Sequence, residues 1–252
     1  MCSMARNDAH KVAMTPQMTR SRWYTARHLD LYQDRTPPPL EERWCDGASG
    51  LLDSAAVRLN RWHGRLAPRW QTAYFESLKR DIAVAGGNVV PVLGRALREA
   101  SIVELAYGSL RTQACRELGL PIFVVIRDMS EHELFPTMIR EGAVDWSLFE
   151  LGTSIVRALD GGLFPSRRKL AEACGLKVEL VSVAAEAVGL PEFVIDAFGS
   201  PDKLTSSAVN QLARALEEDP DGVERRAKSL QGKLTTSTKG VLAALLSDSA
   251  RT

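Results

Sequence analysis

"AYGSLRTQACRELGLPIFVVI", residues 106–126, decides how this chain is read. An apolar run ends at Gly108, residues 110–118 have the pattern of a short helix, Gly119-Leu120-Pro121 breaks it, and residues 122–126 form an apolar β-type run. That is a strand, a helix and a strand in quick succession. The glycine-arginine corner at its start has two readings. It is the turn that joins strand to helix, or it is a place where a phosphate approaches N–H groups at a helix N-terminus. The residues alone leave both open.

Working upstream, "TAYFESLKRDIAVAGG" (residues 72–87) sets Phe75, Leu78 and Ile82 at helical spacing and stops at Gly86-Gly87. "NVVPVLGR" (88–95) and "SIVELAYG" (101–108) read as short buried strands. The order helix, strand, strand, helix, strand makes a small α/β domain, too compact for a Rossmann unit with its glycine fingerprint. Downstream of Asp128 the strand patterns stop. A short helix follows, then a helix over 147–159 opened by the capping-box pair Ser147 and Glu150 and closed by Asp160-Gly161-Gly162. Helices over 166–174 and 178–188 flank Gly175, and the tail from Leu204 holds two or three amphipathic helices. The expected fold class is α+β. Its parts are a basic, loosely ordered arm over 1–64, an α/β domain over 65–127, a helical domain over 128–200 and a helical tail over 201–252.

The chain has 252 residues, 45% of them hydrophobic and 25% charged, which is the composition of a globular protein. Net charge is only +1, so the overall balance favours no polyanionic partner, but its distribution is uneven. Bases outnumber acids over residues 1–80, and acids outnumber bases over 128–200. The arm also carries Pro37-Pro38-Pro39, the turn formers of residues 46–50, and the aromatics Trp23, Tyr24, Trp44 and Trp62. The cysteines at 2, 45, 115 and 174 form no CxxC pair and have no histidine at metal-ligand spacing. The sequence contains no signal-peptide pattern and no apolar run of membrane-spanning length, so a cytoplasmic protein without a membrane partner is expected.

The pair of helices around Gly175 has the outline of a helix-turn-helix. Leu170 and Ala171 point inward from the first helix, and Val178, Val181 and Ala185 from the second. In such a unit the second helix enters the DNA major groove. Here that helix offers Glu179, Ser182 and Glu186 and no arginine, lysine, asparagine or glutamine. The bases lie before and at the turn, as Arg167, Arg168, Lys169 and Lys177, where they can meet phosphates. A helical hairpin without a DNA role is the competing reading. Cys115 with His63 or His132 as a nucleophile pair, and Asp145 with Glu150 as metal ligands, are further candidates. A buried thiol and a solvated helix N-terminus account for those residues more simply.

Three stretches, in this order, resemble the ParB family of partition proteins: "YFESLKRDIAVAGGNVVPV" (74–92), "YGSLRTQACRELGLPIFVVI" (107–126), and the span from Asp145 to Phe198. The resemblance covers residues 65–200. It implies an α/β domain related to sulfiredoxin, a helix-turn-helix domain that binds double-stranded DNA at a centromere-like site, and a C-terminal region that makes a homodimer. It also implies CTP with Mg2+ in the α/β domain, a ParA-type ATPase as partner, and a nucleoid- or plasmid-associated location in a bacterial cytoplasm. The family's phosphate motif maps onto Gly108, Ser109 and Arg111, with Leu110 where the motif has another arginine. Its second nucleotide motif maps onto Glu141, with Gly142 in place of asparagine. The expected DNA contacts, read from the helix pair itself, are Arg167, Arg168, Lys169, Lys177 and Ser182. Three readings follow: a DNA-binding partition-like protein or one that maintains a mobile element, a CTP-dependent nucleotide switch, and a ParB-like protein that acts through protein contacts without binding DNA.

Overall fold

In the computed structural model of this protein the described residues are 45–65, 72–97, 102–142, 146–230 and 237–247. Five strands form one mixed sheet: β1 (Ser49–Leu52), β2 (Val57–Leu59), β3 (Val92–Leu97), β4 (Ile102–Tyr107) and β5 (Ile122–Ile126), in the spatial order β1-β5-β3-β4-β2. β1 runs antiparallel to β5 and β3 antiparallel to β4, while β3–β5 and β4–β2 are parallel. The fold class is therefore α+β, as the sequence implies.

One face of the sheet is covered by α1 (Ala73–Ala85) and α2 (Ser109–Leu118), which pack on each other. Thr72 caps α1 by accepting from the Phe75 N–H at 3.2 Å, and Gly86 ends it in the left-handed conformation. Phe75, Ile82, Val103, Leu105, Ile122 and Val124 fill this layer. Each such side chain contributes about 2 kcal/mol when taken from water.

Alternation along β4 turns Glu104 to the opposite face, where it lies directly across from Arg95 on β3 and Arg58 on β2. Arg95 Nη2 reaches Glu104 Oε2 at 2.7 Å and Arg58 Nη2 reaches Oε1 at 3.2 Å, so one buried carboxylate joins three strands. Arg95 also reaches Glu131 of α3 (Glu131–Thr137), and Arg61 pairs with the same glutamate. The network thus extends from the sheet to the first helix of the next layer.

That layer is helical. α3 runs into a π-turn over Met138–Gly142, followed by α4 (Leu148–Asp160), α5 (Arg167–Cys174), α6 (Val178–Gly189) and α7 (Glu192–Phe198). The tail adds α8 (Ser206–Glu218), α9 (Pro220–Leu230) and α10 (Thr238–Leu246). The Ser147–Glu150 capping box is present: Glu150 Oε2 accepts from the Ser147 N–H at 2.9 Å. α4 and α6 approach closely because residue 152 is glycine; a Cβ there would run into the Ala184 carbonyl oxygen. Phe135, Ile155, Leu170 and Val181 belong to the core under α3–α6, and Phe198, Val209, Leu212 and Val223 to the one under the tail.

The structure departs from the expected organisation over residues 49–64. They are not a loose arm. β1 and β2 are strands of the sheet, and residues 60–64 strap the sheet to the helical layer. Asn60 Nδ2 donates to the Leu105 carbonyl at 2.7 Å and to Met138 Sδ at 3.2 Å, and its Oδ1 accepts from the Trp62 N–H at 2.9 Å. Trp62 is buried against Gly161, where a Cβ would strike its ring. Arg157 donates to the His63 carbonyl, and Gly64 lies against the Glu150 carbonyl. Strands of four and three residues carry too few positions to show an alternation, so the sequence pattern conceals them. The part of the arm over 1–44 lies outside the described residues.

The strap makes stability depend on pH. His63 packs edge-on against Trp146, with ring centroids 4.9 Å apart. Burial first, then the charges of Arg65 and Arg157, push its imidazole down to about 3. Between that value and the ordinary 6.5 the unfolded chain binds a proton that the folded chain does not. Stability is therefore complete above the unfolded value and falls as pH drops through this window. Urea midpoints measured from about pH 6.5 down to about pH 5 should decline, and less steeply in His63→Gln. Identical slopes in both proteins would show that His63 does not titrate on unfolding.

Candidate functional site

Two regions gather the residues that the sequence singled out. The first is the corner between β4 and α2. Gly108 is the N-cap of α2, with φ 102° and ψ 25°. A side chain is excluded there twice, by this backbone conformation and by Val92, whose side chain occupies the space a Cβ would need. Packing of β3 against the corner is therefore sufficient reason for the glycine. Arg111, one turn into α2, donates from Nη1 to the carbonyls of Val90 and Pro91, both at 2.9 Å. Burial lowers it from the ordinary guanidinium value, and Tyr107 and Tyr74 nearby oppose that shift. One terminal nitrogen of Arg111 is thus used to hold the loop that leads into β3.

What the corner still offers a ligand is backbone. The first intrahelical bond here runs from the Thr112 N–H to the Gly108 carbonyl at 2.9 Å, and no side chain caps this end. The N–H groups of Ser109, Leu110 and Arg111 precede that bond in the first turn, where helices leave donors without intrahelical partners. Ser109 itself is buried, and Leu110 packs on the sheet core. Tyr74 is 64% exposed and Val90 51%, so an aromatic ring and an apolar side chain stand open near the same corner. These donors fit a phosphate. They do not reproduce a pair of arginines, because Leu110 is turned to the core. Glu141 sits exposed on the π-turn, which packs against β4. No bond joins it to the corner among the described residues. Nor do these residues contain a group of three or more His, Cys, Asp or Glu placed to hold a metal ion.

The second region is the helix pair α5–α6. Ser166 caps α5 by accepting from the Lys169 N–H at 3.3 Å, and Gly175 makes the turn with φ 69° and ψ 28°. Leu170, Ala171, Val181 and Ala185 are buried between the helices and their neighbours, as expected. Val178 is not; it is 41% exposed and lines a groove on the outer side of α6. Arg167, Arg168 and Lys177 are exposed and form no ion pair among the described residues. Lys169 is also exposed, but its Nζ pairs with Glu172 at 2.9 Å. Ser182 faces a groove of about 620 Å³ between α6 and the start of α8, with Glu179 and Glu186 on the same wall. The outer face of α6 is thus acidic where the approach to α5 is basic.

Arg140 belongs to no pattern that marks it as a site residue. It lies exposed on the π-turn, and its charge reaches the Cys174 thiol at the end of α5, adding a base beside the helix pair. No motif contains it; only the folding of the π-turn toward α5 brings it there. The proposed nucleophile pairs are not formed. Cys115 is buried in the α1–α2 layer and burial pushes its thiol up to about 11, whereas His63 lies across the sheet beside Trp146 and His132 beside Phe164. Asp145 lies outside the described residues, and Glu150 is committed to its cap. No described helix is long and apolar enough to cross a membrane.

No family model matches this sequence, and no curated protein matches it. Solved structures with a similar course of chain do exist. The C-terminally truncated chromosome-partitioning protein ParB from Caulobacter crescentus, complexed to the centromeric parS site, is 18% identical over 77% of this chain and 97% of its own, with a TM-score of 0.44. The truncated ParB from the same organism complexed with CTP-gamma-S is 19% identical over 73% of this chain and 99% of its own, with a TM-score of 0.33. A Pnob8-like ParB-N domain is 11% identical over 79% and 92%, with a TM-score of 0.47.

The role of Arg111 in holding its loop has a measurable consequence. Arg111→Ala leaves the Val90 and Pro91 carbonyls without their donor and should lower unfolding free energy by about 2 kcal/mol. A urea titration measures this. An unchanged midpoint would show that the guanidinium is free for other work.

Proposed function

We propose that this chain is a DNA-binding protein of the ParB type, in which the α5–α6 pair works as a helix-turn-helix that holds the duplex mainly through its phosphates. One observation carries the reading: Arg167, Arg168 and Lys177 stand exposed and unpaired among the described residues around the turn at Gly175, with Arg140 close by. Lys169 can join them by leaving Glu172, a solvated pair of small worth. The order of motifs that resembles the partition family supports the same reading. α6 presents two glutamates and Ser182 in the position of a recognition helix, so base readout is sparse and affinity comes from backbone contacts. A homodimer formed through α8–α10 and a ParA-type ATPase as partner belong to this proposal.

Phosphate-dominated binding has a salt signature. Log affinity for duplex DNA should fall linearly with log salt, by about 0.9 for each phosphate neutralised. Arg167→Ala with Arg168→Ala should weaken binding and flatten that slope by about 2. If no duplex is shifted at low salt, the flanks of its own gene included, the proposal fails.

A second reading, of the corner at Gly108, rests on the uncapped first turn of α2. We propose that the N–H groups of Ser109, Leu110 and Arg111 receive a nucleotide phosphate, with CTP as the nucleotide the motif order suggests. Mg2+ would arrive with the triphosphate, since this ion keeps its waters and is commonly held by phosphates. When bound, CTP would supply a phosphate charge that the corner senses through backbone donors rather than through a guanidinium pair. Calorimetry with CTP and Mg2+ should give saturable heat that Arg111→Lys largely preserves. Absence of heat at millimolar nucleotide rules the site out.

A further inference from the structure

The exposed face of α6 carries acceptors and almost no donors. Glu179, Ser182 and Glu186 follow one another at helical spacing, so they share one face, and they line the groove of about 620 Å³ beside the start of α8. Both glutamates are exposed, and neither forms an ion pair or a hydrogen bond among the described residues. Ser206 and Asn210 stand on the facing wall, and no lysine or arginine lines the groove. The two carboxylates therefore have no cation beside them in the groove. A base edge that approaches Glu179 or Glu186 meets acceptors alone, since an ionised carboxylate has no proton to donate.

In the major groove the four bases answer such a surface differently. Cytosine presents an amino donor, guanine the two acceptors N7 and O6, and thymine an acceptor and a methyl group. Adenine presents an amino donor beside its N7 acceptor, so a carboxylate that takes the one is repelled by the other. Only cytosine meets a carboxylate with no acceptor on the same base. Residues seven apart on a helix are separated by about 10.5 Å, and base pairs stack about 3.4 Å apart. The two glutamates thus reach base pairs about three steps apart. Ser182 lies between them, and its hydroxyl, which both donates and accepts, tolerates any pair.

We infer that Glu179 and Glu186 are the specificity-determining residues of the helix-turn-helix, each accepting a hydrogen bond from the N4 amino group of a cytosine in one major groove. The inference rests on the DNA-binding reading of α5–α6 and adds to it what the duplex must contain. The exposed bases Arg140, Arg167, Arg168 and Lys177 outnumber the two carboxylates, so a duplex is still attracted. At either glutamate a guanine or a thymine sets a carboxylate against an acceptor. Rejection of wrong bases therefore contributes to selection alongside the bond to the right one.

Selection by the full chain from duplexes with a randomised centre, at low salt, tests it. The retained fraction should be enriched in two cytosines about three steps apart, and guanine in place of either should weaken binding about tenfold. Glutamine keeps the size of glutamate and has the donor and acceptor that suit adenine. Glu179→Gln should therefore switch the preference at one position from cytosine to adenine, and Glu186→Gln at the other. Arg167→Ala with Arg168→Ala should weaken all duplexes alike and leave both preferences in place. If the glutamine variants bind every duplex more tightly with unchanged preference, the carboxylates only repel phosphates, and the inference falls while DNA binding stands. Enrichment of a pattern without the cytosine pair overturns it as well. Retention of no duplex removes the inference together with the reading beneath it.

Discussion

The Asn60 side chain is the constraint on which the rest of the structure depends. It is buried, and a buried amide is costly unless its donors and acceptor are met. Leu105 of the sheet, Met138 of the π-turn and the Trp62 N–H meet them together. Satisfying one side chain therefore fixes the distance between the sheet and the helices, and it positions Trp62 in the core beneath α4. The Arg58–Glu104–Arg95–Glu131 network adds a second tie across the same boundary. Glu104 and Arg95 are its buried members, so removing either leaves the other charge uncompensated, whereas Arg58 lies at the surface. The sheet that carries one candidate region and the helices that carry the other are held in one frame as a result.

The corner at Gly108 shows how a motif can have a structural cause and keep a chemical capacity. Val92 explains the glycine, and the Val90 and Pro91 carbonyls occupy one terminal nitrogen of Arg111. Neither contact caps the first turn of α2. Backbone donors do not depend on side-chain identity, so a phosphate-binding turn can persist while the residues around it change. Leu110, turned to the sheet core, marks where such a change has been absorbed by packing.

Charge separates the two helices of the α5–α6 pair. Arg167 and Arg168 enter α5, Lys177 opens α6, and Arg140 comes from the π-turn, while the outer face of α6 carries Glu179 and Glu186.

Much of the helical architecture is legible in the sequence because its signals are local. The Ser147–Glu150 box, the glycines that stop α1 and α5, and the apolar spacing of α4 to α6 each act within a few residues, and each element falls within a residue or two of its expected limits. The acidic character of α6 is equally plain from Glu179 and Glu186. What the sequence could not show depends on residues brought together from afar. β1 finds its partner in β5 and β2 in β4, and only that pairing makes strands of two short segments in a basic leader. Asn60 reads as an ordinary polar residue until the Leu105 carbonyl faces it. Val178 reads as an inner position until the assembled chain leaves it exposed. Arg111 reads as a free cation until the Val90 and Pro91 carbonyls receive it. Local hydrogen bonding and periodicity determined the elements; the tertiary structure decided which side chains hold the fold and which remain open, because burial and partner satisfaction are properties of the assembled chain.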